Sequence, residues 1–267
     1  MTSDSTDTAE LLDVAREAAT AACKLIHEKR PDELTVDTKS SATDHVTDMD
    51  RASEALLRGV ISSRRPDDSI VGEEQGGDVA TSGVTWWLDP IDGTTNYVYD
   101  HPGYAVSVAA WIDGHPAVGV VADPTHGRTY WARRDHGAFC NGDRLEIGDP
   151  ARVDQMLIAT GFGYDRGRRA AQGAVVAELL PLIRDVRRMG AAAVDLCSVA
   201  SGRVDAYYEV GLSQWDLAAG ILIAAEAGAA VEAIGGGAPR SESVLACHPR
   251  RIDEIRALLL DLGAESL

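Results

Sequence analysis

Trp86-Trp87-Leu88-Asp89-Pro90-Ile91-Asp92-Gly93-Thr94-Thr95-Asn96 is the stretch from which the fold can be read. The apolar run 84–88 predicts a buried strand that stops at two carboxylates separated by Pro-Ile. Pro90 is expected to end the ladder, and Gly93 to allow the tight turn behind it. Asp89 and Asp92 are thereby held close at the end of a strand. Carboxylates that cannot separate repel each other, and a divalent cation is the simplest relief. Thr94 and Thr95 add hydroxyl and N–H groups beside the same spot, which suits an anion such as phosphate. Taken alone, an Asp-x-x-Asp reads as an Asx-type turn with solvated acids. The remainder of the chain decides against that.

Immediately upstream, Ser69-Ile70-Val71-Gly72 repeats the arrangement, a short strand ending at Glu73-Glu74, and a Gly-rich loop (76–83) joins the two. Further back, Asp7 with Glu10 predicts a helix start, followed by apolar residues at helical spacing as far as Arg30-Pro31. Residues 1–7 read as a disordered tail. The polar stretch 32–44, with Lys39-Ser40-Ser41, reads as a mobile loop. Thr47-x-x-Asp50 resembles a capping box opening a second helix, so capping is the simplest role for Asp50.

Downstream the pattern turns to strands at 105–109, 118–121, 128–131 and 144–147, with turns at Asp113-Gly114 and Asn141-Gly142. From about Pro150 helices and strands alternate. Helices are expected at 170–184, broken near Pro181, at 191–201, and at 214–227, the last almost wholly apolar and so buried. Strands are expected at 205–208 and 243–247, before a final helix. Asp216 opens the buried helix, where a carboxylate is favourable as a cap but costly if left without a partner. Gly235-Gly236-Gly237 lacks a following Lys-Ser/Thr and reads as a surface turn.

Composition narrows the function classes. The 267 residues are 45% hydrophobic and 25% charged, ordinary for a soluble globular protein. A formal net charge of −17 argues against direct affinity for nucleic acid or an anionic membrane surface. Cys23, Cys140, Cys197 and Cys247 show no C-x-x-C spacing and read as reduced thiols of a cytoplasmic protein. No apolar run reaches membrane-spanning length, and the acidic N-terminus resembles no signal peptide.

Gly72-Glu73-Glu74, the Asp89–Asn96 motif and Trp215-Asp216-Leu217-Ala218-Ala219-Gly220, in this order, resemble the signatures of the inositol monophosphatase family. Gly137-Ala138-Phe139-x-Asn141-Gly142 and Asp205-Ala206-Tyr207-Tyr208-Glu209 match as well. Gly161-Phe162-Gly163-Tyr164 and Asp185-Val186-Arg187-Arg188 make the chain most similar to the bacterial SuhB-type branch. One departure is Gly190-Ala191-Ala192, where animal enzymes usually carry Gly-Thr-Ala.

The resemblance implies a layered αβαβα sandwich. An α+β half (8–150) would carry most metal ligands, an α/β half (151–267) the substrate side, with the site between them. It implies a Mg²⁺-dependent, lithium-sensitive, homodimeric phosphatase. Glu73, Asp89 and the Ile91 carbonyl would hold a first Mg²⁺, and Asp89, Asp92 and Asp216 a second. A third, looser ion would lean on Glu73, with Glu74 and the loop of Lys39 helping to recruit it. Gly93 and Thr94 would bind the phosphate through backbone N–H groups. Thr94, hydrogen-bonded to Asp50, would orient or deprotonate the attacking water, with Glu73 and Asp92 completing the catalytic set. Asp92, Ala192 and Glu209 would accept hydrogen bonds from ring hydroxyls. The implied reaction is hydrolysis of inositol 1-phosphate. Rivals are histidinol phosphate or another sugar or nucleotide phosphate and, in a different class, a partner-protein role in RNA-polymerase and ribosomal-RNA complexes.

Overall fold

The structure, a computed structural model, describes residues 7–31, 33–39, 41 and 44–266. Helix α1 (Thr8–Glu28) begins at Asp7, whose side chain accepts the Ala9 N–H, and ends before Arg30-Pro31. Asp7 is thus a cap and not part of a loose tail; residues 1–6 lie outside the described residues. The stretch expected as an open loop contains a small hairpin, β1 (Val36–Thr38) against β2 (His45–Thr47). Of that stretch, residues 32, 40, 42 and 43 lie outside the described residues. Helix α2 (Asp48–Arg64) follows at once because Thr47 and Asp50 form the capping box.

Seven strands then make one sheet, in spatial and chain order: β3 (Ser69–Gly72), β4 (Val84–Asp92), β5 (Ala105–Ile112), β6 (His115–Asp123), β7 (Arg128–Arg133), β8 (Gly137–Cys140) and β9 (Asp143–Leu145). β3 and β4 run parallel, whereas every later neighbour is antiparallel, and from β5 onward short turns join them. Helix α3 (Thr94–Val98) is a single tight turn between β4 and β5.

The second sheet draws on β10 (Leu157–Thr160), β11 (Asp185–Arg187), β12 (Ala206–Glu209), β13 (Ala230–Glu232) and β14 (Val244–Cys247), ordered β11-β10-β12-β14-β13. Its helices are α4 (Arg166–Leu179), α5 (Ala192–Ala200), α6 (Gln214–Leu217), α7 (Gly220–Glu226) and α8 (Ile252–Asp261).

Alternating side chains sort these elements into layers. Val106, Val108 and Ala110 of β5 pack with α1 and α2, while Ala105 and Ala109 face α5 and α7. On β12, Tyr207 faces the α5–α7 layer and Tyr208 joins Val175, Ile255 and Leu259 on the far side. The order is helix, sheet, helix, sheet, helix: an αβαβα sandwich. The middle layer is dense in alanine, which allows close approach; a Cβ on Gly119 of β6 would lie 2.8 Å from the Ala219 carbonyl oxygen.

Three local expectations change. β4 does not stop at Asp89 but runs on to Asp92, with a shift of register between the two acids. Pro90 sits inside that bulge, where no ladder N–H is required of it. The helix expected at 170–184 starts at Arg166 and ends at Leu179; Pro181 lies in a 3-10 turn, and Asp185–Arg187 becomes an edge strand on β10. The buried helix at 214–227 is two segments that meet at Ala218-Ala219. Among the described residues the four cysteines are free, and no helix is long and apolar enough to cross a membrane.

Candidate active site

A cavity of about 460 Å³ opens where the exits of β3 and β4 face α5, α6 and the end of β12. Glu73, Asp89, Asp92 and Asp216 all line it, so four acids from three motifs meet in one place. Three of the acids that shape the site are also helix caps, and this fixes their positions.

Asp50 is the first. Its Oδ2 accepts the N–H of Thr47 at 2.8 Å and the Thr47 hydroxyl at 2.5 Å, while Oδ1 faces the Thr94 hydroxyl at 3.1 Å. One carboxylate therefore closes the capping box of α2 and receives Thr94. The Thr94 hydroxyl also lies 3.0 Å from the Ile91 carbonyl oxygen. Asp216 is the second, accepting the Ser213 N–H at 2.7 Å at the start of α6. Asp92 is the third. It accepts the N–H groups of Ala192 (3.1 Å) and Ala193 (2.8 Å), capping α5, whose own N-cap residue Ala191 offers no side-chain oxygen.

Glu73 is placed by its neighbours. The buried Glu54 carboxylate accepts the N–H groups of Glu74 (2.6 Å) and Gln75 (3.1 Å) and pairs with Arg58 Nε at 2.8 Å. Arg58 in turn donates to the carbonyls of Ile70 and Gly76. Gly72 is required here, because a Cβ would lie 2.4 Å from the Glu54 carboxylate. At the rim, the Lys39 ammonium stands 2.8 Å from Glu73 and 2.5 Å from Glu74. Gly93, at φ +89°, begins α3 and has carbonyls of Gly103 and Gly190 about it at 2.9 and 3.1 Å from where a Cβ would be. On the opposite wall, Glu209 accepts the Tyr207 hydroxyl at 2.7 Å. Ala192 lines the cavity beside it.

Burial, then mutual repulsion, raises the acids' pKa values. Asp89 and Asp92 are well above the usual carboxylate range, by burial first and then by Glu73 on Asp89 and by Asp216 on Asp92. Burial pushes Glu73 and Glu209 up to about 7 and Asp216 to about 6. Asp50 is raised by burial against its hydrogen bonds to Thr47. Burial works against the Lys39 ammonium, yet Glu73 and Glu74 hold its pKa above the ordinary value.

The donor set fits a hard divalent cation: all oxygens, with Asp89 and Asp92 buried and Glu73 and Asp216 half-buried, and electrostatically frustrated without a positive charge among them. Asp89 stands among Glu73, Asp92 and Asp216, and the repulsion of each adds to burial in raising its pKa. Among the described residues no three such side chains stand spread around a common centre. A divalent cation held by Glu73, Asp89, Asp92 and Asp216 would relieve their mutual repulsion. Ile91 lines the same cavity, with its carbonyl facing Thr94.

All the expected site residues except Asp50 and Glu74 border the cavity, and those two touch it through Thr94 and Lys39. The sequence reading missed Glu54 and Arg58. The available signal was their place with Asp50 on one helical stripe, at intervals of four. It also missed Arg168 and Arg188, which line the outer wall.

The inositol monophosphatase family profile matches residues 7–261. A relative from Mycobacterium leprae named inositol-1-monophosphatase is 45% identical over 251 residues, covering 87% of this chain and 86% of that protein. One from Pasteurella multocida named Nus factor SuhB is 40% identical over 252 residues, 92% of this chain and 94% of that protein. The solved structure of Mycobacterium tuberculosis SuhB matches with a TM-score of 0.82 at 40% identity, covering 96% of this chain and 98% of that one. By profile, by sequence relatives and by fold, this chain belongs to the inositol monophosphatase family.

Proposed function

We propose that the chain is a Mg²⁺-dependent phosphomonoesterase that hydrolyses inositol 1-phosphate, and related myo-inositol monophosphates, to inositol and phosphate. The observation that carries this reading is the convergence of Glu73, Asp89, Asp92 and Asp216 opposite Glu209 in one cavity. Bound Mg²⁺ supplies charge neutralisation for the phosphate and acidifies water.

The chain's own groups do the rest. Glu73, Asp89 and the Ile91 carbonyl hold one ion, and Asp89, Asp92 and Asp216 another. Glu74 and Lys39 regulate a third position beside Glu73; the Lys39 ammonium already stands there as a built-in cation. Gly93 and Thr94 bind phosphate oxygens through backbone N–H groups at the start of α3. Thr94, donating to Asp50, keeps its lone pairs for the attacking water and relays that water's proton. Glu209, Asp92 and the Ala192 carbonyl accept hydrogen bonds from ring hydroxyls and set the pose.

The test is phosphate release from a panel (inositol 1-phosphate, histidinol phosphate, fructose 1,6-bisphosphate, 3′-phosphoadenosine 5′-phosphate) with Mg²⁺ and with EDTA. Release that survives EDTA, or a panel with no inositol 1-phosphate turnover, defeats the reading. Li⁺ is expected to inhibit uncompetitively, and gel filtration to show a homodimer. The relative named a Nus factor favours a second reading, a partner protein of RNA-polymerase complexes. A pull-down with polymerase by a hydrolysis-dead variant separates the two.

A further inference from the structure

The outer wall of the cavity carries two guanidiniums, Arg168 from the first turn of α4 and Arg188 from just past β11. Among the described residues neither guanidinium is hydrogen-bonded or ion-paired. The acid nearest Arg168 in sequence, Asp165, is already engaged, capping α4 through the Arg168 N–H at 2.8 Å. In a chain of net charge −17, two arginines above an acid-lined floor with no acid at ion-pair distance among the described residues are out of keeping with their surroundings.

Their seating is built in. A Cβ on Gly190 would lie 2.1 Å from Arg188 Nη1, and one on Gly211 would lie 2.2 Å from Arg168 Nη1. A Cβ on Gly163 would likewise lie 3.1 Å from Arg168 Cδ. Glu209 lies against Gly161 in the same manner, at 2.0 Å from where a Cβ would be. Each charged group on this wall therefore rests in a slot that only a glycine leaves open. A seated guanidinium loses less freedom on gripping an anion than a solvated one, and its planar fork matches phosphate and carboxylate oxygens in pairs.

We infer that Arg168 and Arg188 form a second anion-binding subsite, so that the substrates of this site include phosphomonoesters carrying a further phosphate or carboxylate. The inference rests on the phosphatase reading above and extends it. Glu209 alone would repel such a group, but Arg188 and Arg168 line the same cavity and carry the opposite charge. The wall then reads hydroxyls through Glu209 and the second anion through the arginines. Simple steering of anions by surface charge is the competing account. Steering needs no seat and acts alike on every phosphate ester.

The experiment compares kcat/KM of the Mg²⁺-loaded enzyme for inositol 1-phosphate, inositol 1,4-bisphosphate and p-nitrophenyl phosphate. It does so for the wild type, Arg168→Ala, Arg188→Ala and the double variant. The double variant is expected to lose about 10-fold or more on the bisphosphate beyond its loss on p-nitrophenyl phosphate, the scale of charged hydrogen bonds. Equal losses on all three esters would assign the arginines to steering and overturn the inference. So would a double variant that loses only inhibition by free phosphate while its preference among the esters is unchanged. Arg→Gln versions serve wherever an alanine variant melts early. Turnover of inositol 1,4-bisphosphate with no arginine dependence defeats the subsite alone; no Mg²⁺-dependent turnover of any ester by the wild type defeats the phosphatase reading and the subsite together.

Discussion

Asp92 accepts the backbone N–H of Ala193 at 2.8 Å, so an acid at the end of β4 caps a helix of the other half of the chain. The same carboxylate takes the Ala192 N–H at 3.1 Å, and both of its oxygens are occupied by α5. Asp92→Asn would turn an amide NH₂ against one of these donors. Its expected cost is roughly 1–3 kcal/mol of stability in the metal-free protein, the range for hydrogen bonds to a charged group. Denaturant unfolding in EDTA measures it. A loss no larger than that of Asp89→Asn would mean that the cap contributes little.

Asp89→Asn is expected to behave in the opposite way. Asp89 makes no comparable cap; its one backbone bond is with the Ile91 N–H at 3.1 Å, and its neighbours repel it. Removing its charge should leave the metal-free protein as stable as the wild type or more so. Activity should fall by on the order of 10²–10³ or more, the scale of losing a principal electrostatic contact to the reacting group. The rise in Tm that Mg²⁺ gives the wild type should shrink. Near-normal turnover at saturating Mg²⁺ would remove Asp89 from the metal site.

Metal-free stability should decline as pH rises. Glu73 and Glu209 titrate at about 7 in the folded state and Asp216 at about 6, against ordinary values near 4 when unfolded. Between those limits the folded chain binds more protons than the unfolded chain, so the linkage slope is negative. Tm in EDTA should drop from pH 5 to pH 8, and Mg²⁺ added at pH 8 should restore it. A Tm in EDTA that climbs across this range would contradict the placement of these carboxyls together.

Glu54→Gln probes the support beneath Glu73. The carboxylate takes two backbone N–H groups of the β3 exit and the Arg58 guanidinium, and an amide cannot accept all three. The Mg²⁺ concentration giving half-maximal thermal stabilisation should rise several-fold, with about 1–3 kcal/mol lost in stability. A purely structural role would lower Tm without moving the Mg²⁺ midpoint.

Glu209→Ala separates chemistry from substrate choice. It should leave Mg²⁺ binding intact and cost inositol 1-phosphate roughly 1–3 kcal/mol in transition-state stabilisation. p-Nitrophenyl phosphate, which offers no ring hydroxyl to Glu209, should be affected far less. Equal losses in kcat/KM for the two would place Glu209 in metal support or folding.

The strand exits and the capping acids were legible because their signals are local, while the layering and the meeting of the acids came from the family resemblance. The Asp89-Pro90-Ile91-Asp92-Gly93 path, the Thr47–Asp50 box and the capping place of Asp216 each depend on residues a few positions apart. Asp92 as the cap of α5 was not legible, since the donors lie one hundred residues away. Glu54 was passed over because an acid on a helix is usually solvated; only the approach of β3 buries it. The strand at Asp185–Arg187 was hidden by a helical pattern that Pro181 does not itself terminate, the chain leaving α4 at Leu179. Of the arginines of the outer wall, Arg168 carries no pattern and Arg188 stands only in the Asp185–Arg188 motif, which by itself points to no ligand. Their meaning comes from the glycines opposite them.

The bulge in β4 has a consequence for grafting. Residues three apart on a regular strand point to opposite faces. Here Asp89 and Asp92 pair with Ser107 and Ala105, which are only two apart, so the extra residue puts both acids on one face while Ile91 turns into the core on the other. The same residues copied onto a straight strand of another scaffold would present one acid to the cleft and bury its fellow in the opposite layer. What is portable is therefore not the motif as spelled but the motif together with a neighbouring strand that is one residue shorter beside it.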